Sequence, residues 1–384
     1  MRVNQGGNMK EKIVSFILVL ILVAIIVVLA VFGYTIYAEI TGNDPIQINF
    51  EGYGDLLTIK VNTDDENTMK IDTDKDIFSG IEDKTTSTQP IVTNTNRYRH
   101  LYEQLNSTAK TIYDKLYENR ENLKTGTYKI DLGNTFQELL STDGGETELK
   151  KQYQSAIEAL IYENPEIFYL DATKMFINIE KITKISGTKY NVYINNGNKP
   201  NYLADGFNNK QDIENYQIQI EQVRDYILSN LNGKSNYEKI KMIHDYFIDS
   251  IEYDSTISRN NIYDIYGALV SRVCVCEGYA KAFQYLMNEI GIDNVIVIGT
   301  ATNSNGQTEN HAWNYVKLNE KWYAVDTTWD DPILIGEGTL PEKSRYQYFL
   351  KGSATMNQNH VTSGKFTDAG QVFIYPRLNT EDYE

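Results

Sequence analysis

The chain is poor in the residues that carry nucleophilic and metal chemistry, with two cysteines and four histidines in 384 residues. It also has no basic excess: 52 acidic side chains against 36 lysines and arginines give a formal charge of −16. Phosphate binding needs a basic surface to release counterions, so no nucleic-acid partner is expected. The two cysteines, Cys274 and Cys276, stand one residue apart in VCVCEGYAKAF at 273–283. A disulfide across so short a loop is strained away from its preferred torsion near 90°, which argues against a structural staple. A zinc site built from Cys274, Cys276 and His311 falls short of the usual four ligands and uses the wrong cysteine spacing. With 41% hydrophobic and 23% charged residues the chain has the balance of an ordinary folded protein, and it has no internal repeat.

Charge is missing altogether from 13–37, IVSFILVLILVAIIVVLAVFGYTIY. That run is long enough for a helix to cross a hydrocarbon core of roughly 30 Å. It exceeds a secretory apolar region and ends in bulky residues instead of a small-x-small cleavage site, which predicts an uncleaved anchor. Arg2, Lys10 and Lys12 precede it, while Glu39, Asp44 and a long acidic segment follow. The positive-inside rule then leaves 1–12 as a cytoplasmic tail and everything after 37 extracytoplasmic.

Residues 38–96 are rich in Asp, Asn and Thr, the composition of a solvated acidic stalk. From 97 the texture changes. Leu101, Leu105, Ala109, Ile112 and Leu116 recur at helical spacing, as do Leu149, Tyr153, Ile157 and Leu160. Alternating segments either side of Ser186-Gly187 predict a hairpin, and a third helix from Ile213 to Leu231 ends near Gly233. These elements make an α+β accessory domain over 97–232. The rest, 233–384, opens with a capping box at Ser235 and Glu238. A further helix starts at the cysteines, with Ala280, Phe283, Met287 and Ile290 facing a core, and three strands follow at 294–300, 311–318 and 321–329.

A catalytic cysteine works as its thiolate and needs a setting that favours negative charge and a partner for the proton. Cys276 has the first by position. It lies where an extended segment turns into a helix, and the unpaired N–H groups and positive dipole end there favour an anion by about 0.3 to 2 kcal/mol. Among the histidines, His100 is near the start of the first helix, His244 is inside the capped helix and His360 is near the C-terminus. His311 opens a strand soon after the thiol, and Asp326 lies in the adjoining strand. With a turn at Asn319-Glu320, position 313 pairs with 326, so Asp326 stands diagonally beside His311 on one face. A slip of one residue would send it to the other face. Cys276, His311 and Asp326 are therefore the candidate nucleophile, base and orienting acid. His244 and His360 are expected to be structural, Asp330 and Asp331 turn formers, and Trp313, Trp322, Tyr323 and Trp329 sheet core.

CEGYAKAF, followed by HAWNYVKLNEKWYAVDTTWDDP, closely resembles the core of the transglutaminase-like superfamily, especially its bacterial surface and secreted members. Weaker likeness extends over 235–361. The resemblance implies a papain-like α+β fold, in which a helix bearing the nucleophile packs on an antiparallel sheet. It gives Cys276, His311 and Asp326 the same three roles. Animal transglutaminases also use a tryptophan upstream of the cysteine, whereas the first tryptophan here is Trp313. The oxyanion hole is thus unplaced: the backbone N–H of Cys276 is one donor, and Tyr253 or Tyr266 is a candidate for the other. The calcium pattern of the animal enzymes is missing, so no metal and no other cofactor is expected. The implied protein is a membrane-anchored thiol enzyme that cleaves or transfers amide bonds of protein or cell-wall peptides through a thioester. The alternative is a catalytically silent binding or scaffold module of the same fold at the cell surface.

Overall fold

The computed structural model describes residues 71–73, 77, 97–185, 187–331 and 342–384. The expected tail at 1–12 and span at 13–37 lie outside the described residues, as does nearly all of the 38–96 stalk. Among the described residues no helix is long and apolar enough to cross a membrane.

The principal helices are α1 (Ser107–Glu118), α2 (Gly145–Glu163), α3 (Lys210–Ser229), α4 (Asn236–Ser250) and α5 (Cys276–Glu289). The first expected helix is interrupted. A single turn at His100–Glu103 stops, and α1 restarts where the Asn106 side chain accepts the N–H of Ala109 at 2.9 Å. An asparagine that offers the backbone its own acceptor breaks a periodic apolar run in this way. The capping box of α4 forms as expected, with Ser235 and Glu238 each accepting the other's backbone N–H.

Strands β1 (Ile130–Gly133), β2 (Phe176–Lys184) and β3 (Gly187–Asn195) make an antiparallel sheet in the order β1-β3-β2. Two short strands, β4 (Glu252–Tyr253) and β5 (Val273–Cys274), pair in parallel just ahead of α5. The second sheet has the order β8-β7-β6-β9 and is antiparallel throughout. Its strands are β6 (Asn294–Thr302), β7 (Thr308–Leu318), β8 (Lys321–Val325) and β9 (His360–Thr362). Helix α5 packs on β6 and β7. The architecture is thus α+β, with the cysteine-bearing helix on an antiparallel sheet.

Two features of that sheet position the chemistry. Asn319 and Glu320 both take left-handed φ, 52° and 62°, the signature of a tight two-residue hairpin turn. The turn fixes Leu318 opposite Lys321 and Asn314 opposite Val325, the register expected from the sequence. β8 stops at Val325, short of the expected Trp329, because the Asp326 carboxylate captures the N–H groups of Thr328 at 3.0 Å and Trp329 at 3.2 Å.

Among the described residues the main apolar core runs from Ile71 to Leu378 and includes residues on both sides of position 232. The C-terminal segment contributes to that continuity. Gln371 donates its N–H to Ser155 on α2 at 2.9 Å, and Tyr375 accepts the N–H of Ile298 on β6 at 3.0 Å.

Candidate active site

Helix α5 begins at Cys276, and its N-cap, Val275, is extended and has no side chain able to cap the helix. The first-turn N–H groups therefore face the site without a capping oxygen, beside a partly exposed thiol. Cys274, two residues earlier, is wholly buried, and burial pushes its thiol well above the usual range. It fills the space over Gly278. A Cβ on Gly278 would lie 2.6 Å from Cys274 Cβ and 2.7 Å from the Ile262 carbonyl oxygen. The two thiols thus divide into a buried packing group and an accessible one.

His311 lies within β7, three residues past the strand's start, and is 4% exposed. Its Nε2 stands 2.7 Å from Asp326 Oδ2, and the Cys276 thiol is near enough to act on the charge of the ring. Burial opposes a charge on the ring, but the Asp326 carboxylate and the hydrogen bonds to Asp326 and Cys276 together push it up to about 10. The pairing with Asp326 thus favours the protonated ring. Asp326 is 1% exposed; burial alone would raise it, yet its two imidazole partners hold it well below the usual carboxylate range. Of the three residues singled out in the sequence, His311 and Asp326 are hydrogen-bonded, and Cys276 acts on the charge of His311.

Two tryptophans clasp the imidazole. Trp313 stacks on it at 5.9 Å between centroids and 21° between planes, while Trp329 tilts over it at 5.5 Å. Asn314, the last residue of HAWN, is buried and donates Nδ2 to the Ala280 carbonyl at 3.0 Å. That bond ties the strand bearing His311 to the helix bearing Cys276. On the other side of the thiol, Ala280, Ile296 and Ala312 form a small apolar patch against which Cys276, Tyr162 and Ile298 pack. Tyr162 comes from α2, far from the motif-bearing segment, and no spacing in the sequence links it to the cysteine.

The tyrosines named for the oxyanion separate. Tyr266 tilts against Tyr216 on α3 at 4.3 Å and donates its hydroxyl to Gln219 at 3.1 Å. Tyr253, on β4 next to β5, is raised first by burial and then by the charge of Cys276.

Four residues expected to be structural or turn-forming do more. His360, on β9, brings Nε2 to 3.0 Å from Asp326 Oδ2, the oxygen already held by His311. His244 is fully buried between Asp245 Oδ1 at 3.1 Å and Asp330 Oδ2 at 3.0 Å, and Asp330 also accepts the N–H of Tyr348 at 2.8 Å. Asp331 accepts the Tyr279 hydroxyl at 2.5 Å, and burial pushes it up to about 7. Asp330 and Asp331 are therefore cross-links to α4 and α5 rather than mere turn formers. His311, Asp326 and His360 have ligand-capable atoms within 4.8 Å of one another. Both imidazole nitrogens, however, address one carboxylate oxygen at hydrogen-bond distance, so these groups satisfy each other instead of framing a shared cation position.

The family model described as the transglutaminase-like superfamily matches residues 225–327. Kyphoscoliosis peptidase from Homo sapiens is 25% identical over 172 residues, covering 41% of this chain and 26% of that protein, and the Mus musculus protein gives the same figures. The chain thus spans about a quarter of the length of these curated relatives. Among solved structures, a TGase shares 16% identity over 45% of this chain and 49% of its own, with a TM-score of 0.28. The periplasmic domain of TgpA from Pseudomonas aeruginosa bound to ethylmercury shares 13% over 41% and 66%, with a TM-score of 0.25.

Proposed function

Residues 225–327 belong to the transglutaminase-like superfamily, and from that premise we propose that the chain is a cysteine-dependent enzyme acting on amide bonds of protein or peptide substrates. The observation that carries the reading is the 2.7 Å bond between His311 Nε2 and Asp326 Oδ2, on a ring whose charge responds to Cys276 at the start of α5.

Cys276 is the nucleophile. As its proton passes to His311, its sulfur adds to the amide carbonyl, and the oxyanion that forms is assigned to the uncapped N–H groups of α5, with Tyr253 the candidate second donor. The His311 imidazolium gives its Nδ1 proton to the departing amine as the C–N bond breaks, leaving a thioester on Cys276. The neutral ring then accepts a proton from water, whose oxygen displaces the sulfur and releases the acid. Asp326 keeps Nε2–H occupied throughout, so that Nδ1 stays aimed at the reacting atoms. Hydrolysis is the favoured outcome, supported by the peptidase name of the curated relatives. An amine in place of water would instead give transfer. In this reading the span at 13–37 carries the enzyme on the outer face of the membrane, where protein and cell-wall peptides are the available substrates.

The test compares the full chain with Cys276→Ala after incubation with cell-surface extract. Mass spectrometry should find new peptide termini with wild type alone; new isopeptide bonds would assign transfer. Identical peptide maps for the two proteins would overturn the enzyme reading in favour of a silent binding module.

A further inference from the structure

The carboxylate behind His311 serves two imidazoles. Asp326 Oδ2 receives His311 Nε2 at 2.7 Å and His360 Nε2 at 3.0 Å, and the two rings lie 5.6 Å apart between centroids. Oδ1 is filled by the N–H groups of Thr328 and Trp329, so the carboxylate has no further room for solvent. His360 is only 3% exposed and is held from every side. Its Nδ1 is 2.7 Å from Asn359 Oδ1, while Asn359 Nδ2 donates to the Tyr348 hydroxyl at 2.7 Å. Trp329, Trp313 and Tyr348 pack around its ring at 4.7, 5.0 and 5.3 Å. A buried imidazole fixed at both nitrogens, with one nitrogen on the charged oxygen of the site, has a more specific placement than core packing requires.

Resting on the reading of His311 as the proton donor, we propose that His360 is a positioning residue that shares Asp326 with His311 and thereby weakens the hold of His311 on its proton. The physical argument has the same sign in both protonation states of His360. As a neutral donor it draws off part of the negative charge on Oδ2, and as a cation it also repels a proton on His311. In either state the imidazolium becomes the stronger acid, which is what transfer of a proton to a departing amine requires. The other titratable groups facing this pair are Cys276 on α5, Tyr348 across the ring of His360, and Asp330, which acts on Asp326 through space. None of them contacts Asp326 Oδ2 as His360 does.

The fold goes to some length to deliver this ring. β9 is three residues long and pairs with β6, setting His360 opposite Ala301. That approach depends on Gly299, where an added Cβ would come within 2.0 Å of the Val361 carbonyl oxygen and 2.8 Å of the Trp313 ring.

The test uses the full chain in detergent micelles, labelled with ¹³C-histidine, so that four imidazoles at most are followed by NMR as pH is varied. Three proteins are compared: wild type, His360→Phe, which keeps a ring without a donor, and His360→Gln, whose amide N–H can reach Oδ2. The His311 midpoint should move upward in His360→Phe by about half a unit or more, and His360→Gln should restore most of the shift. The upper limb of the pH profile for Cys276 alkylation should follow the same order. An unchanged midpoint in a folded His360→Phe, or a downward one from a loosened Asp326, overturns the proposal. A wild-type Cys276 that alkylates no faster than an ordinary thiol defeats instead the enzyme reading beneath it.

Discussion

Gly278 explains why both thiols of a cysteine-poor chain sit side by side. The helix carrying Cys276 must start tight against β5 and the loop through Ile262, and Cys274 is the side chain that fills the remaining gap. A methyl group at 278 has no way out, because one of its collisions is with a backbone oxygen and another with the Cβ of Cys274. Gly278→Ala should therefore cost about 1–3 kcal/mol through overpacking. It should also shift the first turn of α5, slowing Cys276 alkylation. Denaturation midpoints and site-resolved alkylation rates check this. Unchanged values for both would mean that α5 can move away freely, and the close-packing account would fail. Pairing the change with Cys274→Ala should bring little relief, since alanine retains the offending Cβ.

Thiol and imidazole lie on different elements, so their meeting depends on how α5 seats on β7. The Asn314 bond to the Ala280 carbonyl is the polar fastener of that contact, set in an otherwise apolar interface. Asn314→Ala should lower stability by about 1–2 kcal/mol and, more tellingly, uncouple Cys276 from His311. In a still-folded variant the alkylation rate of Cys276 should fall toward that of a free thiol. Retained fast alkylation would show that apolar packing alone sets the distance. The hairpin that brings Asp326 to His311 could be read from the sequence because its determinants are local: two turn residues and a period-two pattern. The contributions of His360, Tyr162 and Asn314 could not. β9 has three residues with no alternation to read, and it joins the sheet through β6, some sixty positions away. Tyr162 joins the apolar patch shared with Cys276 from α2, whose apolar face reads as ordinary core. Asp330 and Asp331 looked like turn formers because Asp-Asp-Pro is turn chemistry, and only tertiary packing turns their carboxylates inward.

Across the described residues, buried carboxyls and the His311 imidazolium tie stability to pH in a definite direction. Glu163 is 3% exposed and accepts the backbone N–H of Leu101 and Tyr102; burial nonetheless pushes it up to about 7. Asp331 is likewise pushed up to about 7, again by burial. For both, the folded chain holds the proton more tightly than the unfolded one, so stability is greatest below about 4 and declines as pH rises through 7. His311, raised to about 10 despite its burial, contributes stability that is complete below about 6.5 and fades as pH rises toward 10. Asp326 acts in the opposite sense, since its depressed carboxyl loses its contribution only as pH falls below about 4. The formal charge of −16 at pH 7 adds self-repulsion that also eases toward acid. The thermal midpoint of the full chain in detergent should therefore climb as pH is lowered from 8 to 5. Glu163→Gln removes one contributor: glutamine carries no charge to bury, and its single oxygen keeps one of the two backbone N–H bonds, so the variant loses stability at every pH together with the pH dependence of Glu163. In that variant the decline between pH 5 and 8 should flatten by on the order of 3 kcal/mol, the free energy of a proton affinity raised by about two and a half pH units. A wild-type midpoint that is level or rising over this range would contradict the account, as would a Glu163→Gln slope no different from wild type. The second outcome would point to solvent reaching the carboxylate through the single-turn helix above it.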